Sequence, residues 1–199
     1  IIASIAIIMM TKQDSAWFSW KSIPLGALSL FLIYQSWQLL LAVNEVPDHG
    51  FGGTLLLAWL LNMFVTGIFA FAGFGFPTQR LLPKSYYRIK TPERLQHVYR
   101  VLRVDWFRQV LLATLWRQRW QRRRYFNGRK SGMAHLWEQS CKSEFGHLLS
   151  LILICLICIL LLGEGLILLG IFTLIINLLG NGYPVILQRH HRMRIQRLM

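Results

Sequence analysis

Residues Leu148–Leu187 read LLSLILICLICILLLGEGLILLGIFTLIINLLGNGYPVIL, two apolar runs separated only by Gly163, Glu164 and Gly165. A helix rises 1.5 Å per residue and needs roughly 20 residues to cross about 30 Å of hydrocarbon. Leu166–Leu187 meets that length. Leu148–Leu162 has only 15 residues, so its span either borrows from Phe145–His147 or Gly163–Gly165, or folds with the next run as a tight helical hairpin around Gly163. Working outward, Ile23–Val43 and Leu55–Phe76 repeat the pattern, and the expected fold is an all-α polytopic membrane protein with about four transmembrane helices.

The composition agrees: 54% hydrophobic residues and a formal net charge of +14 coexist in 199 residues, which requires apolar and basic stretches to be segregated. Sixteen Lys and Arg fall between Pro77 and His147, four between Arg189 and Arg197, and the other two of the 22 are Lys12 and Lys21. Short loops rich in Lys and Arg stay on the cytoplasmic side. Asn44–Gly53 instead carries Glu45, Asp48 and His49, and the last short connection carries Glu164. Both termini and the middle segment are therefore expected in the cytoplasm.

This divides the chain into 1–22, an interfacial or truncated N-terminal segment; 23–76, a first transmembrane hairpin; 77–147, a basic cytoplasmic segment on the membrane surface; 148–187, a second hairpin; and 188–199, a basic tail. Ile1–Met10 is too short to span and reads as the remnant of a longer apolar segment. Trp17, Phe18 and Trp20 form an interfacial belt. Cys155 and Cys158 sit in LILICLICILL and read as small core residues rather than metal ligands. Asn62 and Asn177 each need a partner in hydrocarbon, one interhelical hydrogen bond apiece. Gly67, Gly73 and Gly75 suit close helix approach, and Tyr34, Gln35, Ser36 and Gln38 give the first span a polar band suited to a groove for a lipid-like substrate.

In the middle segment, Leu95, Val98, Leu102, Trp106 and Val110 recur at near-helical spacing among Arg94, Arg100, Arg103 and Arg108. That predicts one amphipathic basic helix, or two joined near Val104, facing anionic headgroups. The run from Arg117 to Lys130 is denser in charge. Basic runs interleaved with Trp and Tyr also fit nucleic acid, but a segment tethered between spans has a nearer anionic partner in the lipid, worth about 1 kcal/mol per cation.

Glu144 and His147 lie three apart and share a helical face, with Glu138 nearly two turns earlier. A carboxylate beside an imidazole fixes its tautomer and suits a general base; an exposed helix also produces this pair by chance. A metal site would need more ligands than one Glu-x-x-His and few other histidines provide, and no cofactor is indicated. In the tail, Arg189, Arg192 and Arg194 suit a phosphate or carboxylate, or simple anchoring. Pro184 removes a backbone donor where Asn181, Gln188 and these arginines gather.

The pattern Glu144-Phe-Gly-His147, two apolar segments, Asn181-Gly-Tyr-Pro184 and Gln188-Arg189-His-His-Arg192-Met-Arg194 resembles the C-terminal half of the glycosyl-4,4'-diaponeurosporenoate acyltransferase family. Glu93, Tyr99-Arg100, Leu102, Val104 and Phe107-Arg108 extend the resemblance over roughly residues 86–194. The chain departs from the family at His191, where Asn is common. The resemblance implies transfer of a fatty acyl group from an activated donor to a sugar hydroxyl of a glycosylated carotenoid, in a bacterial inner or thylakoid-type membrane. It implies His147 as base oriented by Glu144, and Glu138, Asn181, Gln188, Arg189, Arg192 and Arg194 at the substrate. The competing class is a non-enzymatic subunit, or a pigment- or lipid-binding component, of a larger membrane complex.

Overall fold

A computed structural model describes residues 20, 22–43, 50–114 and 132–198. Among them the chain is helical, without strands: α1 (Ser22–Val43), α2 (Gly50–Gly75), a 3-10 turn (Thr78–Arg80), α3 (Lys84–Tyr87), α4 (Pro92–Val101), α5 (Val104–Ala113), α6 (Met133–Gly163), α7 (Ile167–Asn177), a π-helical turn (Leu178–Gly182) and α8 (Tyr183–Leu198). Four rods are long and apolar enough to cross a membrane: α1, α2, α6 and the continuous stretch Ile167–Leu198. The fold is that of a polytopic membrane protein, with four candidate spans among the described residues. Ile1–Met10, Trp17, Phe18, the acidic part of the first loop and the run from Arg117 to Lys130 lie outside the described residues.

α2 is the central rod, touching α1 on one side and α6 and α7 on the other. α1 buries Ser22, Ser29, Ser36 and Val43, a seven-residue repeat that keeps one narrow seam facing a partner helix. Small residues on that seam let the backbones close up: Ser22 Oγ donates to the Gly75 carbonyl at 2.6 Å and Ser29 Oγ to the Ile68 carbonyl at 3.1 Å. A Cβ on Gly75 would stand 3.4 Å from the Ser22 Cα. The polar band of α1 is split: Ser36 lies on the seam, while Tyr34 and Gln38 are exposed. Ser36 bonds to its own helix at the Leu32 carbonyl, and Tyr34 is 57% exposed on the outward face.

At the far end of the bundle, α6 stops in a Schellman motif that makes the hairpin tight. Gly165 takes φ +77°, its N–H meets the Leu162 carbonyl at 3.2 Å, and Leu166 N–H meets the Leu161 carbonyl at 2.9 Å, so the last orphan carbonyls are satisfied. The core beside it is apolar, built on Ala58, Leu61, Val65, Ile154, Ile157, Cys158, Leu161 and Leu169. Asn62 is the polar exception, donating to the Thr173 carbonyl at 3.1 Å and joining α2 to α7.

The helix that carries the third apolar run begins well before Leu148. α6 is one 31-residue helix from Met133, about 46 Å long at 1.5 Å per residue, so its first turns stand beyond the apolar stretch and carry Glu138, Glu144 and His147 on the same rigid rod. The basic segment forms two helices, α4 and α5, joined where Arg103 takes the left-handed conformation at φ 49°. They dock on α8 through Tyr99, Val104 and Leu187. Of the apolar residues at helical spacing, Val98, Leu102, Trp106 and Val110 are exposed and Leu95 is half-buried.

Candidate active site

The outward turns of α6 and α8 pack side by side and carry nearly all the polar chemistry. Glu144 on α6 is fully buried. Its Oε2 forms an ion pair with Arg192, also fully buried, and its Oε1 accepts from Arg189 Nη1 at 3.2 Å. Tyr86 from α3 donates its hydroxyl to the same Oε1 at 3.0 Å. Arg192 is satisfied further by the Tyr87 carbonyl at 3.2 Å and by the Ser140 carbonyl and hydroxyl at 3.3 Å each. Arg189 and Arg192 lie over the rings of Tyr86 and Tyr87, each 5.3 Å from the centroid. Burial pushes the Tyr87 phenol well above its ordinary value, with Cys141 reinforcing that rise and Arg192 opposing it, so the ring stays neutral beneath the guanidinium. Two charges removed from water are tolerated because each faces the other and further donors and acceptors surround them.

Glu144 is thus committed to the arginines and does not contact His147. Residues three apart on a helix are separated by roughly 60° around its axis, enough for Glu144 to face α8 while His147 faces the turn preceding it. His147 Nδ1 lies 2.9 Å from Asn181 Oδ1. Asn181 Nδ2 bonds to Asn177 Oδ1 and to Thr66 Oγ1, both at 3.0 Å, and Asn177 Nδ2 bonds to the Leu151 carbonyl at 3.0 Å.

The direction of this chain is fixed at its foot. A backbone carbonyl only accepts, so Asn177 presents its amide nitrogen to Leu151 and its oxygen to Asn181, and Asn181 in turn presents its oxygen to the imidazole. Nδ1 of neutral His147 therefore carries the proton and Nε2 keeps its lone pair.

The π-helical turn sets this up. Tyr183 N–H reaches back to the Leu178 carbonyl, five residues away, and Pro184 withholds the N–H that Gly180 would accept in an α turn. A widened turn brings Asn181 into line between α2 and α6, as such turns frequently do at functional sites.

His147 lines a cavity of about 460 Å³ enclosed by α2, α5, α6, the π turn and α8. One part of its wall is apolar, with Phe69, Phe74, Phe107 and Leu111. The other part is polar, with Gln139, Lys142, Ser143 and Gln188. Gln188 Nε2 donates to Ser143 Oγ at 3.2 Å, which leaves the Ser143 proton available to a ligand.

Of the residues expected at the site, His147 and Gln188 face this cavity and Asn181 holds the histidine from behind. Glu144, Arg189 and Arg192 form the adjoining ion cluster. Glu138 stands apart: it is exposed and bonded to Gln79. Arg194 is exposed on the α8 turn beside His190 and Tyr99, and does not join the cluster. Sequence reasoning missed Tyr86, Tyr87, Ser140, Ser143 and Thr66, whose partners lie far along the chain. Asn177 was legible as the Asn-x-x-x-Asn pair it makes with Asn181 on one helical face.

Residues 83–199 match the family described as glycosyl-4,4'-diaponeurosporenoate acyltransferase. No curated protein and no solved structure matches the chain. The matched region is more than half of the sequence and holds α3 through α8, with all members of the ion cluster and of the His147 chain except Thr66. The chain belongs to the glycosyl-4,4'-diaponeurosporenoate acyltransferase family, acyltransferases of carotenoid biosynthesis.

Proposed function

We propose that this protein is a membrane-bound enzyme that moves a fatty acyl group from an activated donor onto a hydroxyl of a lipid-like acceptor such as a glycosylated carotenoid, with His147 as the general base. The observation that carries the reading is the chain Leu151–Asn177–Asn181–His147, which leaves a bare Nε2 on a histidine lining a two-sided cavity. An amphiphilic acceptor suits such a cavity: its apolar body against Phe69, Phe74 and Phe107, its sugar against Gln139, Ser143 and Gln188.

The reaction balances on these groups. Nε2 takes the hydroxyl proton as the oxygen attacks the acyl carbonyl carbon, and a new C–O bond forms. The oxyanion that develops is steadied by donors in the wall, Lys142 and Ser143. Collapse breaks the bond to the leaving group, which receives the proton from the His147 imidazolium. Asn181 is a positioning residue that holds ring and tautomer, and the Glu144 cluster fixes α6 against α8 so that both walls keep their spacing.

Cytoplasmic termini and binding of the basic segment to anionic headgroups belong to the same reading, since the basic residues then share one side. The test is the lipid and pigment extract of cells that make a glycosylated carotenoid acceptor, with and without this protein, analysed by mass. An acyl ester should appear with the wild type and be absent with His147→Ala. Ester at wild-type level from a well-inserted His147→Ala protein rejects the assignment.

A further inference from the structure

A second cleft opens beside Arg189. Its volume is about 480 Å³, and it is lined by Ser85 and Tyr86 of α3, the extended segment after them, α4 as far as Val98 and one residue of α8. Four cations converge there: Arg88, Lys90, Arg94 and Arg189. Its lining contains no carboxylate, and no acidic side chain pairs with Arg88, Lys90 or Arg94 among the described residues. Glu93, the acid of the α4 first turn, is not part of the lining.

Such a convergence is repulsive by itself, and it is held by packing that serves other ends. Arg189 is fixed by Glu144 and Tyr86 through Nη1 and remains 31% exposed. The segment carrying Arg88 and Lys90 is pinned where Ile89 N–H donates to Gln196 at 3.0 Å. Thr91 precedes α4 without capping it through its side chain, so its hydroxyl is available beside the positive end of a ten-residue helix. The geometry points to a phosphate-binding site: the cleft takes a phosphomonoester or diphosphate group, held by the guanidinium forks of Arg88, Arg94 and Arg189, by Lys90 and by the Thr91 hydroxyl.

A single carboxylate would leave most of this charge unanswered, whereas a phosphate offers up to two charges and three or more acceptor oxygens. Leu95 and Val98 give the cleft an apolar rim, as suits a phosphate attached to a larger organic body. Two sources share this chemistry: a phospholipid headgroup at the membrane face, and a soluble phosphorylated carrier such as coenzyme A. The site stands apart from the acyl-transfer reading, because its evidence is binding and none of its residues touches the His147 cavity.

The experiment uses the full chain in neutral detergent, titrated calorimetrically with inorganic pyrophosphate and with coenzyme A. In lipid nanodiscs, phosphatidylglycerol is then compared with phosphatidylcholine. The double substitution Arg88→Gln with Arg94→Gln should weaken binding of the preferred probe about tenfold or more, as expected for lost charge-assisted hydrogen bonds. Arg100→Gln with Arg103→Gln, which removes the same charge from the last turn of α4 and its link to α5, should change it little. Tighter binding of coenzyme A identifies a soluble carrier; retention by phosphatidylglycerol alone identifies a headgroup. The inference is overturned if no phosphate probe binds, if the two double variants weaken binding equally, or if decanoate competes as well as pyrophosphate does.

Discussion

Arg192 and Glu144 form an ion pair from which water is excluded: both side chains are 0% exposed, and Tyr86, Tyr87, Ser140 and Arg189 supply their further hydrogen bonds. The pair sits between α6 and α8, next to the wall that carries His147.

Removing one member of a buried pair strands the other, at a cost of about 3–5 kcal/mol. Arg192→Met and Glu144→Gln should each destabilise the protein by about that much, read as lost resistance to denaturing detergent or heat. The double substitution should recover much of the loss, because neither charge is then left alone. Additive losses in the double variant would show that the two groups are not coupled.

In the proposed reaction Asn181 acts through the imidazole, so Asn181→Ala should lower kcat and leave KM for the acceptor nearly unchanged. The loss should be smaller than the roughly 10²–10⁴-fold expected for His147→Ala, the usual contribution of a general base. A raised KM with unchanged kcat would place Asn181 in substrate binding instead.

Gly180 lines the cavity, and a Cβ built on it meets nothing within 4 Å. Gly180→Phe should fill the space meant for the acceptor and raise KM at least tenfold with little change in thermal stability. If the variant keeps wild-type KM, the acceptor does not occupy this cavity.

Tyr99 joins α4 to α8, stacked on His190 with centroids 3.9 Å apart. Burial raises its phenol to about 12, and the hydrogen bond to Asp105 adds to the rise. A raised folded-state value favours the neutral form, so Tyr99 contributes fully below its ordinary value near 10. That contribution disappears as pH climbs toward 12. The wild type should lose stability across that window, and Tyr99→Phe should show a shallower decline.

Tags placed after Met199 and within residues 131–134 should both be protected from external labelling in intact cells, and a tag beside Asp48 should be labelled, because the short basic segments share one side. External labelling of the 131–134 tag would invert or break the four-span arrangement.

The spans were legible because apolar length is a one-dimensional property, and the six polar residues from Glu144 to Arg192 at the junction were legible because α6 and α8 are regular rods whose faces can be counted. What the count could not supply was azimuth. Glu144 and His147 share a face by spacing, yet their neighbours differ, arginines of α8 for one and Asn181 of the π turn for the other. Tyr86 and Tyr87 carried no periodic signal at all. Their roles depend on where a short connection after Pro83 lands against α8, a matter of tertiary distance rather than local pattern. Four neighbouring polar residues on α1 could not be sorted by type: Ser36 falls on the serine seam, whereas Tyr34 and Gln38 turn outward.

The turn Leu178–Gly182 winds five residues where an α turn winds about four. Such a turn behaves as one extra link that leaves the phase of the helix on either side unaltered, so α7 and α8 face as they would in a plain helix one residue shorter. Excising a single residue there would set the Pro184 ring against the carbonyl four residues before it and kink the rod, so the amide behind the imidazole and the Arg189–Arg192 clamp would both fall out of line. The extra link is thereby what lets a proline stand inside a membrane rod at this depth.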